Sequence, residues 1–176
     1  MRFGWASLTA ALLLAACGGE AGEAPGDDAR VAEAAAFMAE NADADGVVTL
    51  DSGLQYKVLN AAPDGAPSPD GNDLVRVHYE GSLTDGTVFD SSFERGQPAV
   101  FTIEEGISGS IIPGMRDALQ HMTVGDEWLV YIPPELGYGE ESGGEIPPNS
   151  VLVFRLKLLE VAATPGGTRA TDVAHG

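Results

Sequence analysis

Two stretches in which apolar and polar residues alternate constrain the fold of this chain more than any other feature. In residues 75–80 every second side chain is apolar, so the apolar ones fall on one face of an extended segment. Residues 151–160 repeat this pattern. The two stretches predict half-buried strands that share one hydrophobic core. The apolar faces comprise Val75, Val77 and Tyr79 in the first stretch and Leu152, Phe154, Leu156 and Leu158 in the second.

A segment between these stretches is typical of one short helix. Pro113 suits the first helical turn, and Gly125 follows as a stop signal. Met115, Leu119 and Met122 lie between them at helical spacing. Since one helix packed on an antiparallel sheet is an α+β arrangement, the sequence predicts an α+β fold.

Length and charge limit the function classes. A chain of 176 residues can hold one domain of about 100 to 150 residues with tails. The net charge of -18 would repel a phosphate backbone, and no Lys/Arg cluster reverses it locally, so no nucleic acid is expected as a partner. The same charge disfavours attraction to anionic lipid, so membrane attachment would need another device.

The N-terminus contains such a device. Residues 3–14 form an apolar run too short to span a bilayer, which predicts a signal peptide over residues 1–16. The run ends in Leu-Ala-Ala-Cys, which resembles the bacterial lipobox, so Cys17 is the expected lipidation site. The alternative is a plain secretory signal with an incidental cysteine. Glycines at positions 18 and 19, in place of an acidic retention signal, indicate a periplasm-facing anchor in the outer membrane of the cell envelope.

The remaining segments flank the predicted domain. We expect a flexible tether over residues 17–27, a helical arm over 28–46, an extended lead-in strand and loop over 47–71, and a disordered tail over 163–176. Asp27 or Asp28 is the predicted helix cap, with Val31, Ala35 and Met38 on the apolar face and Asp45-Gly46 as the stop. The arm is either a packing or dimerising element or a mostly solvated spacer helix.

Six segments, in order, resemble the family of FKBP-type peptidyl-prolyl cis/trans isomerases over residues 72–162. Residues 39–59 further resemble its Mip-like bacterial envelope lipoprotein branch. The segments are residues 77–81 (VHYEG), 85–92 (DGTVFDSS), 111–115 (IIPGM), 122–125 (MTVG), 134–139 (PELGYG) and 146–154 (IPPNSVLVF).

The resemblance implies a fold and an activity. The fold is an antiparallel β-sheet wrapped around one short α-helix, here preceded by a short helical arm. The activity is rotamase catalysis of X-Pro bonds in unfolded or folding envelope proteins, without a cofactor. Since His78, His121 and His175 are scattered, no metal site is expected. A monomer is expected, because only a tether and one helix separate Cys17 from the domain.

The resemblance also assigns the site, and for its aromatic residues the alternative is a purely structural core role. Tyr138 lies in a glycine-flanked loop, where its hydroxyl can donate to a substrate carbonyl. The backbone N–H of Ile112 is the second implied donor. Asp90 could also cap a turn through hydrogen bonds with Ser91 or Ser92. His78 is expected to have a structural role or to lie at the surface, and not to take part in catalysis. The catalytic set is Tyr79, Phe89, Asp90, Tyr138 and Phe154, and the substrate-binding set is Phe101, Ile111, Ile112, Met115 and Ile146.

This chain departs from the family pattern at several positions. Met115 stands where most members have tryptophan, so the pocket floor becomes a flexible thioether. Ser142 and Glu145 replace apolar or imidazole groups on the rim, which predicts a preference for peptides with Lys or Arg near proline. These departures and the arm motivate a second hypothesis, a low-turnover binding module or holdase chaperone. An inert structural lipoprotein conflicts with the many retained pocket positions.

Overall fold

Most elements of the structure follow from the alternation and helical spacing in the sequence. The structure, a computed structural model, describes residues 26–104, 111–141 and 144–164. Within these ranges are the helices α1 (Asp27–Ala42) and α2 (Pro113–His121) and a 3-10 turn at Pro134–Leu136. The strands are β1 (Val47–Thr49), β2 (Gln55–Asn60), β3 (Leu74–Leu83), β4 (Val88–Ser91), β5 (Ala99–Thr102), β6 (Glu127–Ile132) and β7 (Leu152–Ala162).

The strands form one antiparallel sheet in the order β1-β2-β6-β7-β3-β4, and β5 also pairs with β3. The long strand β7 lies between β6 and β3. On the side away from β7, strand β3 has two short partners. Strand β5 pairs with residues 74–77 and β4 pairs with residues 80–82. Tyr79 therefore lies at the junction between the two short strands.

The predicted apolar faces meet in the core. Val75, Val77 and Tyr79 of β3 are buried, and every second residue of β7 from Leu152 to Leu158 is buried beside them. Helix α2 packs on this face and contributes Met115, Ala118 and Leu119, with Met122 directly after it. The predicted strands, the short helix and the α+β class are confirmed.

The prediction for α1 was wrong at both ends. The helix begins after Gly26, which is extended and occupies the capping position without a side-chain bond, so Asp27 and Asp28 lie in the first turn. Carboxylates there still favour the helix, because they face its positive end. The helix ends at Ala42, before the predicted stop, and Gly46 at φ 78° turns the chain into β1.

Helix α1 is largely exposed and touches the sheet at a few points, so it combines the two predicted alternatives of a packing element and a mostly solvated spacer. The Gln55 side chain of β2 donates to the carbonyl oxygen of Met38 at 2.8 Å and accepts from the Asn41 side chain at 2.7 Å. The Phe37 ring lies 6.1 Å from the Tyr131 ring of β6. Val31 on the predicted apolar face is nevertheless 52% exposed, so the helix is held by a few specific contacts.

The predicted lead-in, residues 47–71, contains two strands where one was expected. Gly53 at φ 88° reverses the chain, and β1 pairs with β2 as a hairpin. Strand β2 in turn pairs with β6, so the lead-in is part of the sheet. The predicted signal peptide, Cys17, most of the tether, Ser142 and most of the tail lie outside the described residues.

Gly114 gives a direct test of the packing between α2 and β6. A Cβ atom at this position would lie 2.4 Å from Cγ2 of buried Ile132, so Gly114→Ala must displace the helix or the strand. We expect a loss of about 1–3 kcal/mol in the free energy of unfolding, measured by urea denaturation. Gly71→Ala is the matched control, because its Cβ would lie 3.6 Å from the nearest atom, in the Gln120 side chain. Equal stability of the two variants would contradict this packing.

Candidate active site

All ten residues predicted to form the site line one open cavity of about 370 Å³. Four strands, the start of α2 and the loop after β6 bring them together from distant parts of the sequence. Their roles in catalysis and binding stay predictions. The lining comprises Tyr79, Phe89, Asp90, Phe101, Ile111, Ile112, Met115, Tyr138, Glu145, Ile146 and Phe154.

The walls are aromatic rings supplied by four strands. The Tyr79 ring lies 5.7 Å from Phe101 and 6.4 Å from Phe154 in tilted orientations. The rings of Phe89 and Phe154 meet edge to face at 5.7 Å. Gly81 makes this contact possible, because a Cβ there would lie 2.6 Å from Phe89 and 2.8 Å from Phe154. These rings are therefore part of the core and also form the cavity wall.

Helix α2 closes the bottom of the cavity. Met115, in its first turn, is 5% exposed and presents its side chain to the cavity. Ile111 and Ile112 immediately precede the helix and also line the cavity. Within the described part of the chain, no hydrogen bond engages the Ile112 N–H. The floor is therefore apolar, with a backbone donor beside it.

The loop after β6 places Tyr138 at the rim. The N–H groups of Gly137 and Gly139 donate to the carbonyl oxygen of Pro134 at 3.0 and 2.9 Å, and the Asn149 N–H donates to the Gly139 carbonyl oxygen at 2.7 Å. Gly139 and Asn149 have φ values of 60° and 57°, a region that glycine and asparagine tolerate best. This backbone network leaves Tyr138 41% exposed at the cavity mouth.

A polar triad of Tyr79, Asp90 and Arg95 forms one edge of the cavity. The Tyr79 hydroxyl donates to Asp90 Oδ2 at 2.5 Å, and Arg95 Nη2 donates to the Tyr79 oxygen at 2.8 Å. Arg95 also pairs with Asp90 and lies 5.5 Å from the centre of the Tyr79 ring. Asp90 therefore orients the phenol, and its carboxylate also accepts a hydrogen bond from the Ser91 backbone, so the site role and the local turn contact coexist.

Arg95 was missed by the sequence prediction. It lies in the loop between β4 and β5, where no periodic pattern exists to place a side chain. One signal was available, because Arg95 is the only Lys or Arg between Arg76 and Arg116 and follows Asp90 by five positions. An acidic side chain in a site with a single nearby cation favours an ion pair between them.

Burial and the hydrogen bonds within the triad move the pKa values of Tyr79 and Asp90 in opposite directions. Burial raises the pKa of the Tyr79 phenol above its ordinary value of 10.0, and the hydrogen bond to Asp90 acts in the same direction. Burial opposes ionisation of Asp90, but the hydrogen bonds from Tyr79 and Arg95 outweigh it and lower the pKa of this carboxyl below 3.8. The phenol is therefore neutral and the carboxylate ionised across the physiological range.

We expect this arrangement to be insensitive to pH between about 5 and 9. The contribution of Asp90 to stability should be lost only as pH falls below 3.8, and that of Tyr79 only as pH rises above 10.0. Asp90→Asn should lower the pKa of Tyr79, measured by ultraviolet absorbance of the phenolate. Subtraction of a Tyr79→Phe titration assigns the signal among the four tyrosines. An unchanged Tyr79 titration in Asp90→Asn would be the contrary result.

Comparison with known proteins identifies relatives over most of the chain. A family described as "FKBP-type peptidyl-prolyl cis-trans isomerase" matches residues 65–159, and one described as "Domain amino terminal to FKBP-type peptidyl-prolyl isomerase" matches residues 20–58. The chain is 47% identical over 134 residues to the FKBP-type 22 kDa peptidyl-prolyl cis-trans isomerase of Escherichia coli K12. That alignment covers 76% of this chain and 62% of the relative.

Two further relatives extend the comparison. The chain is 43% identical over 127 residues to the "Outer membrane protein MIP" of Legionella longbeachae, covering 72% of this chain and 52% of that protein. The chain thus spans between half and two thirds of the length of these two relatives. A crystal structure of a peptidyl-prolyl cis-trans isomerase from Pseudomonas syringae matches with a TM-score of 0.71 at 34% identity, covering 81% of this chain and 100% of that one. The chain belongs to the family of FKBP-type peptidyl-prolyl cis-trans isomerases.

Proposed function

We propose that this chain is a peptidyl-prolyl cis/trans isomerase that acts on X-Pro bonds of unfolded or folding polypeptides. The observation that carries the proposal is the aromatic cavity of about 370 Å³ with polar groups confined to its edge. Rotation about the X-Pro bond interrupts amide resonance at a barrier of about 18–20 kcal/mol. An enzyme accelerates this rotation if it binds the twisted amide better than the planar one.

The cavity walls favour the twisted state by removing water. A proline ring that enters the cavity beside Tyr79 and Phe154 would rest on Met115, and the twisted amide would lie in apolar surroundings. The twisted amide is less polar than the planar one, so desolvation penalises it less. Each ~1.4 kcal/mol of this difference increases the rate tenfold. No covalent or proton-transfer step is required.

Two donors can hold the substrate carbonyls in place. The Tyr138 hydroxyl lies at the exposed mouth of the cavity, and the Ile112 N–H lies beside its floor. Asp90 is occupied by Tyr79 and Arg95, so its proposed role is to fix the wall and not to accept a proton. Preoriented donors cost little reorganisation when the bond rotates.

The proposed location is the cell envelope, with the chain anchored to the outer membrane through lipid on Cys17 and facing the periplasm. The apolar run before Cys17 and the name of the Legionella relative, an outer membrane protein, support this location. Among the described residues, no helix is long and apolar enough to cross a membrane. Proline-containing envelope proteins would be the substrates, and the chain would act as a monomer. Mass spectrometry of the mature N-terminus tests the anchor directly.

One observation favours a second candidate function, that of a low-turnover binding module or holdase chaperone. A groove of about 630 Å³ runs between α1 and the segment that follows β6. Val31, Ala35 and Met38 line it from the helix, and Pro133 and Pro134 line it from the domain. Exposed apolar surface of this kind can retain unfolded chains without catalysis.

A coupled isomerase assay on an X-Pro peptide separates the two candidates. We expect catalysis by the wild type and a loss of about tenfold in kcat/KM for Asp90→Ala, because Tyr79 and Arg95 lose their shared partner. Tyr138→Phe should lose about threefold to tenfold through one hydrogen bond. Met115→Trp should increase kcat/KM by making the floor rigid. Val58→Thr, on exposed β2 surface, is the control. A wild type that suppresses aggregation without catalysis would favour the binding module.

The rim suggests which substrates are preferred. Residues 133–149 contain four glutamates and no Lys, Arg or His. Of these glutamates, Glu145 lines the cavity itself. Within the described residues, no ion pair neutralises Glu140, Glu141 or Glu145. Since opposite charges at short range attract by about 1 kcal/mol even in water, peptides with Lys or Arg near proline would bind better.

Matched peptides that differ only in Lys or Glu beside the X-Pro unit test this preference. At low salt we expect kcat/KM about fivefold higher for the Lys peptide. The difference in kcat/KM between the two peptides should shrink near 1 M salt, because charges more than about 3 Å apart are then screened from each other. Replacing Glu140, Glu141 and Glu145 with glutamine should abolish it, while turnover of a neutral peptide stays constant. Equal turnover of the charged peptides at low salt would disprove the preference.

A further inference from the structure

The backbone of Tyr79 is held by a residue that is not in a strand. At the junction between β4 and β5, the Ser92 N–H donates to the Tyr79 carbonyl oxygen at 2.8 Å. The Tyr79 N–H donates to the Ser92 hydroxyl oxygen at 2.7 Å, and that hydroxyl contacts the Tyr79 carbonyl oxygen at 3.1 Å. Ser92, which is fully buried, therefore replaces a strand partner at the position where β3 lacks one on this side.

His78 completes the bonding of this serine from the outer face of the sheet. Its Nδ1 lies 3.0 Å from the Ser92 hydroxyl oxygen. A hydroxyl has one proton and two acceptor sites. With the proton donated to the Tyr79 carbonyl and one acceptor site taken by the Tyr79 N–H, the remaining contact requires a donor. This bonding pattern would require a proton on Nδ1 of His78.

The segment between β4 and β5, which contains Ser92, is also fixed at Phe93. The Phe93 ring stacks on the His78 ring at 4.8 Å, with an angle of 18° between the planes. The guanidinium of Arg155, in β7, lies 4.9 Å from the Phe93 ring centre. The Nε of Arg155 donates a hydrogen bond to Glu127 of β6 at 2.7 Å. Two residues further along the chain, Arg95 reaches back to the phenol of Tyr79. The outer face of the sheet thus fixes the segment that delivers Arg95 to the cavity.

We infer that His78 is a positioning residue, which acts through the Ser92 hydroxyl to hold Tyr79 and Arg95 in the cavity wall. This inference rests on the proposed isomerase function and deepens it. Among the described residues, the His78 side chain contacts Ser92 and Phe93, and neither of them lines the cavity. Its effect on catalysis is therefore indirect. The bond from His78 fixes the serine, and the serine fixes the backbone that carries the phenol.

A pair of variants separates the hydrogen bond from the stacking. His78→Phe keeps a ring against Phe93 but removes the donor, whereas His78→Asn places an amide N–H near the Nδ1 position. We expect kcat/KM to fall about fivefold in His78→Phe and to stay within about twofold of the wild type in His78→Asn. Arg76→Gln, at a half-buried position on the same face of β3 and paired with Glu160 away from the cavity, is the control and should retain full activity. An active wild type with equally active His78→Phe would overturn the inference.

A second measurement does not depend on activity or on the stability of a variant. Two-bond ¹H–¹⁵N spectra of the wild type above pH 7.5 report which imidazole nitrogen carries the proton. We expect a protonated Nδ1 and an unprotonated Nε2. A proton on Nε2 instead would overturn the inference, even if the wild type proved inactive. An inactive wild type with a protonated Nδ1 would count against the isomerase proposal and leave the hydrogen-bond assignment supported.

Discussion

The pairing of β3 with β7 is the contact on which the rest of the structure depends. It places Tyr79 opposite Leu156 and Gly81 opposite Phe154. Because side chains alternate between the two faces of a strand, a shift of one residue would turn Tyr79 away from the core. The empty side-chain position at Gly81 then leaves room for Phe89 to meet Phe154. The register of two strands thus determines both the core and the shape of the cavity.

Around this pairing, polar contacts fix what apolar packing leaves free. Hydrophobic burial is non-directional, so it can bring the Tyr79 ring into the wall without orienting its hydroxyl. Orientation comes from Asp90 and Arg95 at the phenol and from Ser92 at the backbone. Both ends of this residue are therefore held by β4 and the segment that connects it to β5. The apolar interior and the polar loop have separate functions in building one site.

The sequence predicted regular elements well and contacts between elements poorly. Periods of two and of nearly four residues revealed β3, β7 and α2, because each buries one face. The limits of α1 were missed, since Gly26 replaces the expected aspartate cap and the helix is held by Gln55 and Tyr131 from distant strands. The site residues were identified by family resemblance and share one cavity, but Arg95 lies in a loop without periodicity. Loop side chains are placed by tertiary contacts, which local patterns do not encode.

The methionine at the floor of the cavity has a consequence for how the site could change during evolution. A thioether has several low-energy rotamers and adapts to the shape of what it contacts, whereas an indole offers one rigid plane. A deformable floor would accept either pucker of a proline ring at similar cost. Discrimination between substrates then shifts from the ring to the residues on either side of it. With Met115 as its base, the proposed proline pocket would leave selectivity to the rim, where substitutions disturb the buried core least.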